Sequence, residues 1–436
     1  MPQIKNVIKN LLGKSKNSIE AKNFSWLVSG KIAQMIISLI VGLLTARYLG
    51  PSNYGLINYS ATYITFFAAL CTLGISSVIV KNFTDKPDEV GTTLGTTLFL
   101  RIISSFISGL IIIGIVSVID KGELLTLVVT AIVCISLLFQ PFDVFNYWFQ
   151  YKYKAKVIAM VSLAAYVSVA LFRVVLLFQG RDVRWFAFAT ALDYLVIALL
   201  ITLAYVKHKG PRLKVSLGKG KELLGSSYHF ILSSLMVAIY GYTDKFMLKQ
   251  MLNETEVGYY STATAICGMW VFVLQAVIDA LYPTIMNLYN QDKKAFERKN
   301  RQLYAIVFYV GIGVSIIITI FAPLGIRILY GKDYLPATVP LRIVTWYTAF
   351  SYLGVARNAW IVCEGKQKYL KYMYVLAAAI NICLNLIMIP IMGTAGAALA
   401  SLITQVFTSI ILPYCFKEMR PNAKLMIDSI LLKGIR

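Results

Sequence analysis

The segment TTLGTTLFLRIISSFISGLIIIGIVSV, residues 92–118, decides the fold class of this chain. A helix needs about 20 mostly apolar residues to cross the hydrocarbon core of a bilayer. This segment is longer than that and carries one charge, on Arg101. Five of its polar residues recur at helical steps, so a helix would place them on one face; they are Thr93, Thr97, Arg101, Ser104 and Ser108. The segment therefore predicts a membrane-spanning helix with one polar face.

The chain as a whole has the composition of a polytopic membrane protein. Its 436 residues are 58% hydrophobic with a mean hydropathy of +0.70, whereas soluble domains are roughly 45–50% apolar. The predicted fold class is all-α, with twelve spanning helices joined by short loops. Their approximate ranges are 23–46, 55–80, 92–118, 124–149, 157–179, 184–206, 223–249, 257–287, 301–328, 335–362, 369–390 and 394–416.

The net charge of +22 comes from an uneven distribution of lysine and arginine between alternate loops. Of the 42 basic residues, 29 lie in the loops and termini on one side of the predicted helices. The opposite loops hold only Arg47, Lys121, Arg181, Arg184, Lys249, Arg327 and Lys332. By the positive-inside rule the basic side is cytoplasmic, which places both termini in the cytoplasm. The basicity therefore needs no nucleic-acid partner to explain it.

Both ends of the chain are predicted to form helices that lie on an anionic membrane surface. The first 22 residues carry five lysines among apolar residues at helical spacing, namely Ile4, Val7, Ile8, Leu11 and Leu12. The tail from Arg420 to Arg436 has the same character, with Leu425, Met426, Ile430 and Leu431. The N-terminal segment lacks the apolar centre of a signal peptide, so we expect no cleavage.

The sequence shows none of the usual patterns of enzymes and metal proteins. Its six cysteines and two histidines have no spacing typical of a metal site or a disulfide framework. No phosphate-binding loop, dinucleotide turn or nucleophile elbow occurs. We therefore expect neither catalysis nor a metal or organic cofactor.

Charged residues inside the predicted spans are the candidate functional residues. A charge at bilayer depth costs a few kcal/mol or more, so it usually faces a protein interior or an aqueous cavity. The bases are Lys31, Arg101, Arg173, Lys245, Arg342 and Arg357, and the acids are Asp143, Asp193, Asp244 and Asp279. Arg101 and Arg173 lie several turns from either surface, whereas the other four bases lie near span ends, where long side chains reach the headgroups. Two interpretations stay open: these charges line a hydrated lumen, or they form internal ion pairs that hold helices together.

Asp244 and Lys245 are adjacent in the stretch AIYGYTDKFMLKQML, residues 238–252. Adjacent residues of a helix point about 100° apart, so we expect the two side chains to meet different neighbours rather than each other.

A faint internal repeat divides the chain in two. LGPSNYGLINYSA (residues 49–61) and LNETEVGYYSTAT (residues 252–264) align at an offset of 203 residues, with Gly55 over Gly258. Each segment joins the first two spans of a block of six. We predict two lobes, residues 1–214 and 215–436. Parallel halves with a substrate site between them are a known transporter design.

The repeat segments also carry a family resemblance. GLLTARYLGPSNYGLINYSA (residues 42–61), YTDKFMLKQMLNETEVGYYSTA (residues 242–263), Pro283 and NICLNLIMIPIMGTAGAALA (residues 381–400) together resemble the Wzx-type polysaccharide flippases. These belong to the larger group that includes the MATE drug exporters and the lipid II flippase. The resemblance spans nearly the whole chain, although the lipid II flippase usually has two further spans.

The resemblance implies two six-helix lobes around a V-shaped cavity that opens alternately to the two sides of the bacterial cytoplasmic membrane. The implied cargo is an oligosaccharide on undecaprenyl pyrophosphate, for capsule, O-antigen or exopolysaccharide assembly, and the implied partners are membrane lipids and other assembly proteins. Because arginine binds phosphate oxygens bidentately, the candidate head-group residues are Arg101 and Arg173, helped by Lys31, Lys245 and Arg357. Candidates for charge pairing, or for coupling to H⁺ or Na⁺, are Asp244, Asp279, Asp193 and Asp143.

Two other functions compete with a flippase. A MATE-like exporter of organic cations needs an anionic, aromatic cavity, whereas bases outnumber acids in the predicted spans. A polytopic glycosyltransferase or polymerase generally needs a sizeable loop outside the membrane, and the predicted outer loops are short.

Overall fold

The computed structural model describes residues 19–434, apart from the side chains of a few of them, Lys31 among these. Over that range the chain is helical and contains no strand. The helices, in chain order, are α1 (Ile19–Cys71), α2 (Ile79–Asp85), α3 (Val90–Ile119), α4 (Leu124–Phe139), α5 (Val144–Tyr151), α6 (Ala155–Phe178), α7 (Val183–Lys207), α8 (Leu217–Met251), α9 (Glu254–Gly268), α10 (Val271–Gln291), α11 (Lys293–Leu329), α12 (Thr338–Ala356), α13 (Asn358–Cys363), α14 (Lys368–Met392), α15 (Thr394–Val406), α16 (Leu412–Cys415) and α17 (Arg420–Ile430). The predicted N-terminal surface helix lies mostly outside the described residues.

The helices form two compact units. Within the described residues, unit 1 comprises residues 19–48 and 63–235, and unit 2 comprises residues 49–62 and 236–434. Helix α1 therefore contributes its middle to unit 2 and its two ends to unit 1, and α8 passes from unit 1 to unit 2 at Met236. Each unit has its own apolar core. The core of unit 1 is centred on Phe83, Phe145, Phe149 and Ile201, and that of unit 2 on Phe296, Tyr304, Leu353 and Ile361.

Nine helical segments within the described residues are long and apolar enough to cross a membrane. Two predicted spans fall largely in one of these segments, because α1 consists of two helical parts that meet at a non-helical kink at Gly50. Gly50 has φ 70°, a left-handed conformation that glycine adopts without strain, and Pro51 follows it. Helices α8 and α12 cover two further predicted spans and are not among these nine segments. A polytopic, all-helical membrane protein is confirmed, and the number twelve stays a prediction.

Several predicted spans are broken in the structure, and those at 55–80 and 124–149 are interrupted after Cys71 and Phe139. The span at 257–287 divides into α9 and α10 at Met269–Trp270, and the span at 335–362 divides into α12 and α13 at Arg357. The next-to-last turn of the last predicted span is also irregular, because Phe407–Ile411 is π-helical. π-Helical turns are rare and are often found at functional sites.

The C-terminal tail corrects one prediction. Helix α17 forms within it, but Leu425 and Met426 are only 6% and 0% exposed and belong to the core of unit 2. Asn422 donates a hydrogen bond to the Tyr304 hydroxyl at 2.8 Å, which fixes α17 against α11. The prediction that Leu425 and Met426 face lipid is wrong, because α11 buries them within the protein.

The two segments of the internal repeat pack against each other inside unit 2. A Cβ atom on Gly55 would lie 1.8 Å from the Glu254 carbonyl oxygen, and one on Gly258 would lie 2.1 Å from the Pro51 carbonyl oxygen. Only glycine permits backbones to approach so closely. The Ser52 hydroxyl donates to the Glu254 carboxylate at 3.2 Å beside this crossing. The aligned glycines are thus the two halves of one helix contact.

Candidate functional site

The two deepest predicted arginines form ion pairs within unit 1. Arg101 Nη1 lies 2.6 Å from Asp143 Oδ1, and the arginine side chain is 2% exposed against 41% for the acid. Arg173 Nη2 lies 2.8 Å from Asp193 Oδ2, with both side chains largely buried. One pair joins α3 to the turn before α5, and the other joins the consecutive helices α6 and α7. Either arginine would have to leave its carboxylate, or share it, in order to bind a phosphate.

Asp244 lies at the centre of a buried hydrogen-bond network in unit 2. Tyr260 donates to Asp244 Oδ2 at 2.5 Å, Ser401 donates to the same oxygen, and Asn385 Nδ2 donates to Oδ1 at 2.7 Å. Asn381 closes the network, because its amide donates to Ser401 Oγ at 3.2 Å and its oxygen accepts from Asn385 at 3.1 Å. Among the described residues no base pairs with Asp244. The carboxylate is therefore held by neutral donors alone.

Lys245 faces a different set of neighbours, which confirms the prediction from helical geometry. Its Nζ lies 3.4 Å from Asn58 Oδ1 and 5.9 Å from the ring centre of Tyr242. Asn58 is oriented for this contact, because its amide nitrogen donates to the Tyr54 carbonyl at 2.9 Å. Lys245 forms no ion pair with the part of the chain that the structure describes. Its charge is thus available to a ligand.

Both charges line one cavity of unit 2, with a volume of about 320 Å³. Five tyrosines share the lining, which are Tyr54, Tyr240, Tyr242, Tyr260 and Tyr347, together with Asn58, Thr264 and Ser401. Tyrosine offers an aromatic face and a hydroxyl, and asparagine offers both a donor and an acceptor. The cavity can therefore hold a polar ligand with hydroxyl groups and an anionic centre near Lys245.

The other predicted residues lie elsewhere. Arg357 lines a different cavity of unit 2, of about 110 Å³, which shares Tyr240 with the first. Asp279 is exposed and accepts a hydrogen bond from Gln275 at 2.8 Å. Arg342 is also exposed and donates to the Thr319 carbonyl at 3.1 Å. Lys31 falls in α1, but its side chain lies outside the described part of the chain.

Several residues of the site were not predicted. Asn381, Asn385, Ser401 and Tyr260 carry no charge, so a search for intramembrane charges passes over them. One signal was present, since Asn381 and Asn385 stand four residues apart in the apolar helix α14 and both are completely buried. Buried amides at that spacing share a helix face and need partners.

Comparisons with known proteins identify relatives of this chain. A family profile described as "Polysaccharide biosynthesis protein" matches residues 21–289, more than half of the chain. The capsular polysaccharide biosynthesis protein CapF of Staphylococcus aureus is 23% identical over 410 residues, which cover 91% of this chain and 98% of CapF. A candidate O-antigen transporter of Escherichia coli strain K12 is 19% identical over 74% of this chain and 79% of its own.

Solved structures share the fold. The lipid II flippase MurJ, in an inward closed conformation, has a TM-score of 0.74 at 14% identity and covers 93% of this chain and 91% of its own. An inward-facing multidrug resistance transporter of the MATE family has a TM-score of 0.67 at 18% identity, over 91% of this chain and 96% of its own. At these identities the likeness concerns the fold alone.

Proposed function

This chain belongs to the polysaccharide biosynthesis protein family, and from that membership we propose that it is a flippase for lipid-linked precursors of a surface polysaccharide. The cargo we propose is an oligosaccharide on undecaprenyl pyrophosphate, which crosses the bacterial cytoplasmic membrane by alternating access. The names of the relatives and the flippase and exporter folds of the structural neighbours support this proposal. The proposal includes twelve membrane spans in two six-helix lobes, divided after Lys214. It also includes a cytoplasmic location for both termini.

The observation that carries the proposal is the cavity beside Asp244 and Lys245. It combines an available lysine with tyrosine and asparagine side chains inside an apolar chain. A pyrophosphate bears two or more negative charges, and such an ion is very unfavourable in a low-dielectric region without cationic partners. Lys245 provides positive charge there. The tyrosines provide faces and hydroxyl groups for the sugar rings.

The roles of the other predicted bases follow from their surroundings. Arg101 and Arg173 are each held by a carboxylate in unit 1, so we assign them to the pyrophosphate only in a state in which those ion pairs open. Lys31 remains a proposed head-group residue on sequence grounds. Arg357 provides a further cation in unit 2.

Asp244 is the residue that we propose for ion coupling. It is 5% exposed and has no basic partner among the described residues. A buried carboxylate that forms no ion pair is costly, so a bound proton or Na⁺ would stabilise it. The side-chain oxygens of Ser401 and Asn381 belong to the same network, and Asn385 Oδ1 is buried without a hydrogen-bond partner in the described chain. They could complete a site for a monovalent cation.

The flippase proposal is tested with purified protein in liposomes that contain the lipid-linked oligosaccharide of the host. We expect the wild type to expose the glycan to an externally added glycosidase faster than protein-free liposomes do. Lys245→Gln should slow this by roughly 10- to 100-fold, because a hydrogen bond to a charged group contributes about 1.5–3 kcal/mol. Lys371→Gln, at an exposed lysine of the same unit, should leave the rate unchanged. Equal rates with and without protein, together with uptake of an organic cation, would instead identify an exporter.

Ion coupling is tested in the same liposomes with imposed Na⁺ or pH gradients. We expect one of the two gradients to accelerate wild-type flipping and to have no effect on Asp244→Asn. Lys245→Gln should keep its response to the gradient although its rate is lower. An Asp244→Asn protein that responds as the wild type does would remove Asp244 from the coupling mechanism.

A further inference from the structure

We propose that the cavity around Arg357 is an oxyanion-binding site, separate from the cavity of Asp244 and Lys245, and that it takes a carboxylate or phosphate group. It combines a buried arginine that has no counter-charge with polar side chains held at fixed positions.

Arg357 is 6% exposed and forms no ion pair with any described residue. Its Nη1 donates to the Thr408 and Ser409 carbonyl oxygens at 3.3 and 3.5 Å. Its Nε is buried with no acceptor, and Nη2 makes no hydrogen bond within the described chain. A buried charge is normally paired, because an unpaired one is unfavourable in a low-dielectric interior. Arg357 therefore lacks a counter-anion.

The chemistry that is missing is that of an oxyanion. Nε and Nη2 form one edge of the guanidinium, and a guanidinium edge binds two oxygens of a carboxylate or phosphate in parallel. The carbonyls of Thr408 and Ser409 occupy the other end of the group. Both carbonyl contacts use Nη1, so the edge formed by Nε and Nη2 has no acceptor in the described chain.

The cavity has room and further polar groups for such a ligand. Its volume is about 110 Å³, and a water molecule needs roughly 10–15 Å³ on the same measure. Tyr240, Tyr374, Asn358 and Gln405 line it along with Arg357. Asn358 Oδ1 is buried and has no partner in the described part of the chain. Because aromatic faces, amides and hydroxyls are the groups that contact a sugar, an anionic sugar or a small phosphate fits this lining.

The polar groups are held in place by the local backbone. Arg357 stands at the break between α12 and α13, and its carbonyl partners belong to the π-helical turn Phe407–Ile411. Gln405 is fixed at both ends, because Tyr240 donates to its oxygen and its nitrogen donates to Ser409 Oγ at 2.9 Å. Groups held in this way bind a ligand with little loss of side-chain entropy.

The identity of the natural ligand rests on the proposed function. We infer that this ligand is a carboxylate or phosphate substituent on the transported glycan, bound apart from the pyrophosphate. A free inorganic phosphate has the same chemistry, and the experiment separates the two sources.

The experiment measures the melting temperature of purified full-length protein in detergent by intrinsic tryptophan fluorescence. The probes are sodium glucuronate and sodium phosphate, compared with glucose and with sodium chloride at equal ionic strength. We expect at least one of the two anions to raise the melting temperature by about 1–3 °C at ten times its Kd. A larger effect of glucuronate identifies an acidic sugar as the ligand. An effect of phosphate alone is measured again with glucose 6-phosphate, and a larger rise with the sugar phosphate than with inorganic phosphate identifies a phosphate group on a glycan, whereas the reverse identifies free phosphate. No rise beyond that in chloride and glucose would overturn the proposal.

Three variants locate the effect. Arg357→Gln should lose the rise, and Arg342→Gln, at an exposed arginine of the same unit, should keep it. Because Arg357→Gln could also fail to fold, the decisive variant is Asn358→Asp, which puts a carboxylate into the same cavity. We expect it to keep or raise the basal melting temperature and to abolish the response to the anions. A response that persists in Asn358→Asp, or that disappears in Arg342→Gln, contradicts the site. This experiment measures no transport, so its failure would contradict the anion site and not the flippase proposal. A protein that responds to anions but does not flip lipid would contradict the flippase proposal and not the anion site.

Discussion

Among single residues, the intramembrane charges divide by whether they have a partner. Arg101 and Arg173 have carboxylate partners at 2.6 and 2.8 Å, whereas Lys245 and Arg357 have none among the described residues. Removing one member of a buried pair leaves the other charge uncompensated. The paired residues should therefore affect stability, and the unpaired ones should affect ligand binding.

The first prediction concerns the ion pair of Arg101 and Asp143. Arg101→Gln should lower the free energy of unfolding by about 2–3 kcal/mol, somewhat less than the 3–5 kcal/mol typical of a fully buried pair, because Asp143 is partly exposed. The double variant Arg101→Gln with Asp143→Asn should recover most of this loss. Melting temperature and the yield of folded protein measure both effects.

Flipping activity separates the two interpretations of this pair. Transport that returns in the double variant together with stability means that Arg101 serves to hold helices. Normal stability with no transport, in single and double variants alike, would make Arg101 a residue of the lumen.

The sequence predicts the contacts of a single side chain where local helix geometry determines them. The 100° spacing between adjacent helical residues correctly separated the neighbours of Asp244 from those of Lys245. The partner of Arg101 could not be found in this way, because Asp143 lies on another helix and only the packing of α3 against the turn before α5 brings them together. The network of Asp244 was missed for the same reason, since Asn385 and Ser401 meet it from α14 and α15.

At the scale of helices, the apolar segments predicted where most helices lie, but not where they break. The interruption of α1 at Gly50 is an exception, because it falls within the predicted loop between the first two spans and is followed by Pro51. The division between α9 and α10 occurs at Met269–Trp270, with no proline to announce it. The length of an apolar segment is set by the thickness of the membrane. The position of a helix break depends instead on what packs against each half of the helix.

The second prediction tests the glycine contact between α1 and α9. Gly258→Ala should destabilise unit 2 by roughly 1–3 kcal/mol or more, because its Cβ would lie 2.1 Å from a backbone oxygen that cannot rotate away. Gly313→Ala, whose Cβ would meet nothing within 4 Å, is the matched control and should be neutral or slightly stabilising. Thermal melting of both variants provides the comparison. Equal melting temperatures would mean that α1 and α9 are not in this contact in the membrane.

At the scale of the whole molecule, the distribution of basic residues predicts the orientation in the membrane. Single cysteines near Lys121 and Lys332 in a cysteine-free variant should react with an impermeant thiol reagent added outside the cell. Cysteines near Lys152 and Lys214 should react only after permeabilisation, because the positive-inside rule places those loops in the cytoplasm. Labelling with the opposite sidedness would reverse the orientation and the proposed direction of transport.

The division of α1 between two units bears on how the chain is made. Residues 49–62 belong to unit 2, yet the ribosome produces them long before their contacts on α9, which lie 203 residues further along. At roughly 5–20 residues per second, translation leaves this segment waiting about 10–40 s for its partner. During that interval the Gly55 face of α1 is exposed to lipid or to the membrane insertion machinery. Unit 2 therefore forms late in biosynthesis, although residues 49–62, which belong to it, are among the first to enter the membrane.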